Sequence, residues 1–115
     1  MNIKNAKITG TMLGREDHGI MTFMVYVDIS ESGCCGVGGY AIDCYDRDTK
    51  GRKFTAKGLE AISKILEVVG VDTWEQLKGK YIRVKDNGWG KPIDEIGNLM
   101  ENKWFNLREF FSKED

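Results

Sequence analysis

One histidine, three cysteines and a run of glycines are the residues of this chain with the most chemical capacity. His18 closes the tripeptide Glu16-Asp17-His18 within GREDHG. A carboxylate beside an imidazole fixes its tautomer and raises its basicity, so this group could serve as an oriented general base. Neighbours in a turn more commonly face solvent separately, and the competing reading is a polar hairpin tip. A single histidine excludes any multi-histidine metal site and leaves only a mixed site with Cys34, Cys35 and Cys44. Adjacent Cys34 and Cys35 lack the C-x₂₋₄-C spacing that lets two thiolates reach one tetrahedral centre, so no metal is expected. Neither thiol carries the flanking signature of a thiol-enzyme class, and no enzyme activity is expected.

The segment SESGCCGVGG, Ser30 to Gly39, offers a second kind of chemistry. Successive backbone N–H groups freed of side-chain bulk can cradle an anion. The segment lacks the GK[ST] ending of a P-loop. It also does not open a helix as G-x-G-x-x-G does, because the following GYAIDCYD alternates like a strand. No cofactor is expected. If a nucleotide binds here, Gly36, Gly38 and Gly39 would hold phosphate, Tyr40 would stack on the base, and Asp43 or Asp46 would accept from ribose hydroxyls. Asp17 and His18 would join them from the neighbouring turn. The plainer alternative is a flexible loop or a bulged strand entry.

A third set lies further on, where Lys78, Lys80, Arg83, Lys85 and Lys91 surround a hairpin that also carries Tyr81 and Trp89. Charge for phosphates and rings for bases are what single-stranded nucleic acid uses on an open sheet, with Lys80, Tyr81, Arg83, Lys85 and Trp89 as the contact residues. The alternative is a solvated strand face with two rings at its edge. The 17 basic and 18 acidic residues balance to a formal charge of -1, so a nucleic-acid partner would depend on a local basic patch and not on the field of the whole molecule.

These groups need a scaffold, and 115 residues suffice for a single domain spanning 1–115. The proportions of hydrophobic (41%) and charged (30%) residues are those of a chain that folds alone. The N-terminus MNIKNAKITG has no apolar core of a signal peptide, and no apolar run approaches a bilayer-spanning length, so no membrane partner is expected. Unpaired cysteines without a spaced framework fit a reducing compartment.

The pattern of apolar residues predicts a polar edge strand from Ile3 to Met12 with a bulge or bend at Gly10, then a hairpin connection from Gly14 to Gly19. A core strand follows from Ile20 to Ile29, with Met21, Phe23, Val25, Val27 and Ile29 on one face. Another strand is expected from Tyr40 to Tyr45, and the turn-like DRDTKG leads to one helix, Ala56 to Val69. Leu59, Ile62, Ile65, Leu66 and Val69 recur there at helical spacing, and Gly70 ends it. Asp72 and Glu75 have the spacing of a capping box. A strand from Lys80 to Lys85 would turn Ile82 and Val84 inward and Tyr81, Arg83 and Lys85 outward. A last strand spans Ile93 to Leu99, and Trp104, Phe105, Leu107, Phe110 and Phe111 are expected to close one end of the core. The fold class is therefore α+β: an antiparallel five-stranded sheet, or a curled OB-like barrel, with one main helix packed on it.

Three stretches, TMLGREDHGIMTFMVYVD, GVGGYAIDCYD and KGLEAISKILEVVGVDTWEQLKGKYIRVK, give the chain a resemblance from about Ile3 to Phe111. It resembles an uncharacterised family of small proteins encoded by tailed phages and prophages. The EDHG turn and the GGYAID strand entry are its most distinctive pieces. The resemblance implies a phage origin, a location in the host cytoplasm, and other small residues at the cysteine positions in relatives. It supplies no mechanism. Small phage accessory proteins work by stoichiometric binding, so the leading expectation is a non-enzymatic protein that blocks a host target, such as an immune component or its nucleotide signal. A single-stranded nucleic-acid binder of phage replication or recombination is the alternative, and a small hydrolase using His18 comes third. A homo-oligomer is expected in either binding case, because small binders cover exposed edges that way.

Overall fold

Alternating apolar residues build the main layer of the molecule, a computed structural model that describes residues 2–16, 19–29, 33–88 and 91–113. Three long strands, β1 (Asn2–Glu16), β2 (Ile20–Ile29) and β3 (Gly33–Ala41), lead into a two-stranded ribbon of β4 (Asp43–Asp46) and β5 (Gly51–Phe54). Helix α1 (Ala56–Val69) follows, then a 3₁₀ turn (Trp74–Gln76), β6 (Tyr81–Asp86), β7 (Glu95–Gly97), β8 (Trp104–Asn106) and a short α2 (Leu107–Ser112). The main sheet is antiparallel throughout, in the order β3-β2-β1-β6-β7-β8. The chain thus adopts the α+β class read from its sequence, with six strands in the main sheet where five were expected. The sheet stays open and does not close into a barrel.

One face of the sheet is the core. Ile8, Phe23, Val25, Val27, Ile29, Ile82, Val84 and Ile96 are buried there together with Ala61, Ile65 and Val68 of α1. Thr55 caps the helix by accepting a hydrogen bond from the Gly58 N–H at 3.0 Å. Gly70 ends it in the left-handed region at φ 90°, its N–H donating to the Leu66 carbonyl. The buried stripe runs through Gly58, Ala61, Ile65 and Val68, which turns Leu59 about 100° away from the sheet, and it is 73% exposed. Leu59 is thus a correction to the expected helix face. Its neighbour Gly58 sets the approach, because a Cβ there would meet Ile42 at 2.5 Å.

Strand β1 is also corrected. It is an interior strand, paired with β2 along most of its length and with β6 over its first half. Its polar residues misled because a sheet with one covered face needs an apolar residue only at every second position, here Ala6 and Ile8. The expected irregularity at Gly10 is present as a register shift between Ile8 and Gly10. The extra residue reverses the alternation, so Met12 pairs with Met24 on the face opposite Ile8.

Residues 33–39, expected as loop, are strand β3, and the strand expected from Tyr40 to Tyr45 breaks at Ile42 between β3 and β4. The capping side chain of the 3₁₀ turn is Gln76, which accepts from the Thr73 N–H at 3.0 Å, one residue later than the Asp72–Glu75 spacing suggested. The strand expected from Ile93 to Leu99 is the shorter β7, and a further strand that was not expected, β8, follows it through a turn. Phe105 and Leu107 are buried and Phe110 and Phe111 pack against the core, whereas Trp104 lies on the other face. Among the described residues no helix is long and apolar enough to cross a membrane.

Candidate functional site

The face of the sheet turned away from α1 carries the rings and cations that the sequence placed around β6. Strand register puts Asp28 of β2 opposite Lys7 of β1, and Lys7 opposite Tyr81 of β6. One step along, Asn5 of β1, Arg83 of β6, Gly97 of β7 and Trp104 of β8 stand in a row. Tyr26 of β2 is opposite Gly10 on one side and Gly36 on the other. A diagonal across the sheet therefore reads ring, cation, ring, cation, ring: Tyr26, Lys7, Tyr81, Arg83, Trp104. Neighbouring strands lie about 4.8 Å apart, so successive rings on β2, β6 and β8 are separated by about 10 Å across the strands.

Each cation sits on an aromatic ring. The Lys7 ammonium is 5.7 Å from the Tyr81 ring centre, and the Arg83 guanidinium and Lys85 ammonium lie 4.8 and 5.0 Å from that of Trp104. Arg83 is fixed further by donating from Nε to the Asn98 carbonyl at 2.7 Å and from Nη2 to the Glu101 carbonyl at 2.9 Å. Lys85 pairs with Glu95 at 3.1 Å. Tyr81 is 56% exposed and Tyr26 40%, so each ring keeps surface that a ligand can reach.

Glycines make the floor beneath these side chains. A Cβ at Gly97 would come within 2.5 Å of the Trp104 ring, which lies across β7 where a side chain would otherwise stand. At Gly36 a Cβ would collide with Met24 Cε and touch the Tyr26 ring. Gly36 and Gly38 are thus cross-strand partners of Tyr26 and Met24, a pairing that adds contact where glycine offers none. Gly38 combines φ 121° with the Phe23 carbonyl 2.8 Å from any Cβ, so no other residue fits.

The remaining residues of the expected nucleotide cradle serve the fold in this structure. Half-buried Tyr40 stacks on Phe111 with ring centres 4.5 Å apart, and burial together with the charge of Asp94, opposed by Arg108, raises its phenol above the ordinary value. Asp43 accepts from Arg52 at 2.6 Å and from the Met21 N–H at 3.1 Å. The Arg52 hydrogen bond holds its carboxyl below the usual carboxylate range despite burial. Asp46 accepts from the Asp48 N–H and the Thr49 hydroxyl, closing the turn of the β4–β5 ribbon. Asp17 and His18 lie outside the described residues, as does Trp89.

Of the expected nucleic-acid contacts, Tyr81, Arg83 and Lys85 share the open face. Lys80 does not. It precedes β6 and borders a hollow of ≈ 290 Å³ with Gly70, Val71, Asp72 and Gln76, beside the end of α1. Sequence reasoning missed Lys7, Tyr26 and Trp104. Lys7 was legible as the alternate of buried Ala6 and Ile8. Trp104 was legible because adjacent residues of a strand face opposite ways, and Phe105 fills the core.

Near the other end of the molecule Asn87, Lys91, Pro92 and Arg108 line a hollow of ≈ 390 Å³, with Arg108 3.9 Å from Asp94. All three cysteines are free. Among the described residues no group of three His, Cys, Asp or Glu could hold a metal ion. No family model, no curated protein and no solved structure matches the chain.

Proposed function

We propose that the chain is a non-enzymatic, phage-encoded binding protein of the host cytoplasm that holds single-stranded nucleic acid on the open face of its sheet, in replication or recombination. The alternation of Tyr26, Lys7, Tyr81, Arg83 and Trp104 along one diagonal carries this reading. Rings offer stacking to any base, cations between them meet the phosphates, and neither demands a particular sequence. Arg83 and Lys85 are already oriented by carbonyls and by Glu95, which lowers the entropy lost on binding.

Fluorescence anisotropy of a labelled oligothymidylate, followed from about 50 to about 200 mM salt, tests the reading. With three phosphate contacts, the logarithm of affinity should fall with a slope of about -2 against the logarithm of salt. Tyr81→Ala should weaken binding about 5- to 150-fold, the range expected for one stacked base. Lys80→Ala should leave it unchanged. Absent binding, or binding indifferent to salt, rules the proposal out.

A second reading keeps the host-blocking role expected from the resemblance, with a nucleotide signal of host immunity as the target. The Lys91–Arg108 hollow favours it, since two cations there could meet phosphates close to Tyr40. Native mass spectrometry of protein purified from host cells tests it. A retained nucleotide supports this reading, and ligand-free protein from infected cells making the signal contradicts it.

A further inference from the structure

We propose that β3 is a dimerisation edge, on which two copies of the chain pair their β3 strands antiparallel about a two-fold axis into one continuous sheet. β3 ends the sheet on one side, so half of its backbone N–H and C=O groups point away from β2. Sheet edges are ordinarily blunted by charged side chains, by proline or by shortness. The nine residues of β3, GCCGVGGYA, contain no charge and no proline. The opposite edge, β8, is three residues long and runs directly into α2. One edge is therefore guarded by its length and the other is open.

The occupant is a second copy because the uncharged β3 meets its own image without electrostatic conflict. An uncharged strand laid antiparallel against its own image places no like charges opposite one another, and antiparallel pairing is the mode at every junction of this sheet. Gly33, Gly38 and Gly39 depart from extended geometry with φ 88°, 121° and 84°, which leaves residues 34–37 as the regular pairing stretch. Met24 and Tyr26 lie over Gly36 toward that edge, so pairing brings an apolar strip of each copy beside the axis. The dimer does not depend on the nucleic-acid reading, although it would set two ring-and-cation diagonals on one sheet.

Sedimentation velocity up to ~1 mM chain, where even a weak specific pairing is populated, should show a species of twice the 13.0 kDa chain mass. Exposed Cys34 lies in the pairing stretch, and Cys34→Glu should return the monomer by setting carboxylates near the axis. Tyr45→Glu, a change at another exposed position on the β4–β5 ribbon, should leave the dimer intact. Hydrogen exchange of the wild-type chain should slow at residues 34–37 as concentration rises. A monomer throughout overturns the proposal, and so does a dimer that persists in Cys34→Glu or exchange that slows elsewhere while β3 is unaffected.

Discussion

Asp43 is the one buried carboxylate of the described core, and its two oxygens divide between Arg52 and the Met21 N–H. Because the folded carboxyl titrates below its unfolded value, ordinarily 3.8, the folded state binds fewer protons in that region. The resulting stabilisation is fully present above the unfolded value and is lost as pH falls through the folded one. The stability difference between the wild type and Asp43→Asn should therefore hold steady from neutral pH to about pH 5, then narrow on further acidification. Denaturant unfolding at several pH values checks this, and a difference that widens in acid contradicts it. At this scale the sequence was partly legible. Tyr81, Arg83 and Lys85 were separable from Ile82 and Val84 by alternation alone. Asp43 looked like a ligand group because nothing in its own neighbourhood announces Met21, 22 positions away.

Elements differ in how much of their context they carry. The bounds and the stop of helix α1 were readable because a helix supplies its own period, although that period put Leu59 on the covered face and the Thr55 cap went unread. Thr55 provides the first turn's acceptor, and Thr55→Ala should cost about 1 kcal/mol in thermal or denaturant unfolding. A cost near zero would mean that the Ile42 contacts of Gly58 hold this helix end without the cap. Strand β3 was illegible for the opposite reason. Its glycines have no side chains to alternate, and the groups that make it a strand, Met24 and Tyr26, belong to β2. The bulge in β1 shows a middle case: Gly10 signalled an irregularity, but its effect on Met12 depended on pairing with Met24.

The whole molecule is a one-sided sheet, and this divides its labour. The face against α1 buries Ile65, Phe23 and their neighbours and provides the stability. Among the described residues no helix covers the other face, yet carbonyls, a carboxylate and glycine floors fix Arg83, Lys85 and Trp104 in place. The α+β architecture followed from apolar periodicity, whereas the interior place of β1 and the sixth strand arose from pairings between distant segments. The central claim is that this uncovered face is the binding surface. Amide chemical-shift mapping by NMR, with an oligothymidylate titrated into labelled protein, tests it most directly. Perturbations should concentrate at Lys7, Tyr26, Tyr81, Arg83 and Trp104 and leave Ala61 and Ile65 of α1 unmoved. Perturbations gathered instead around Lys91 and Arg108, or absent at saturating oligonucleotide, would contradict the account.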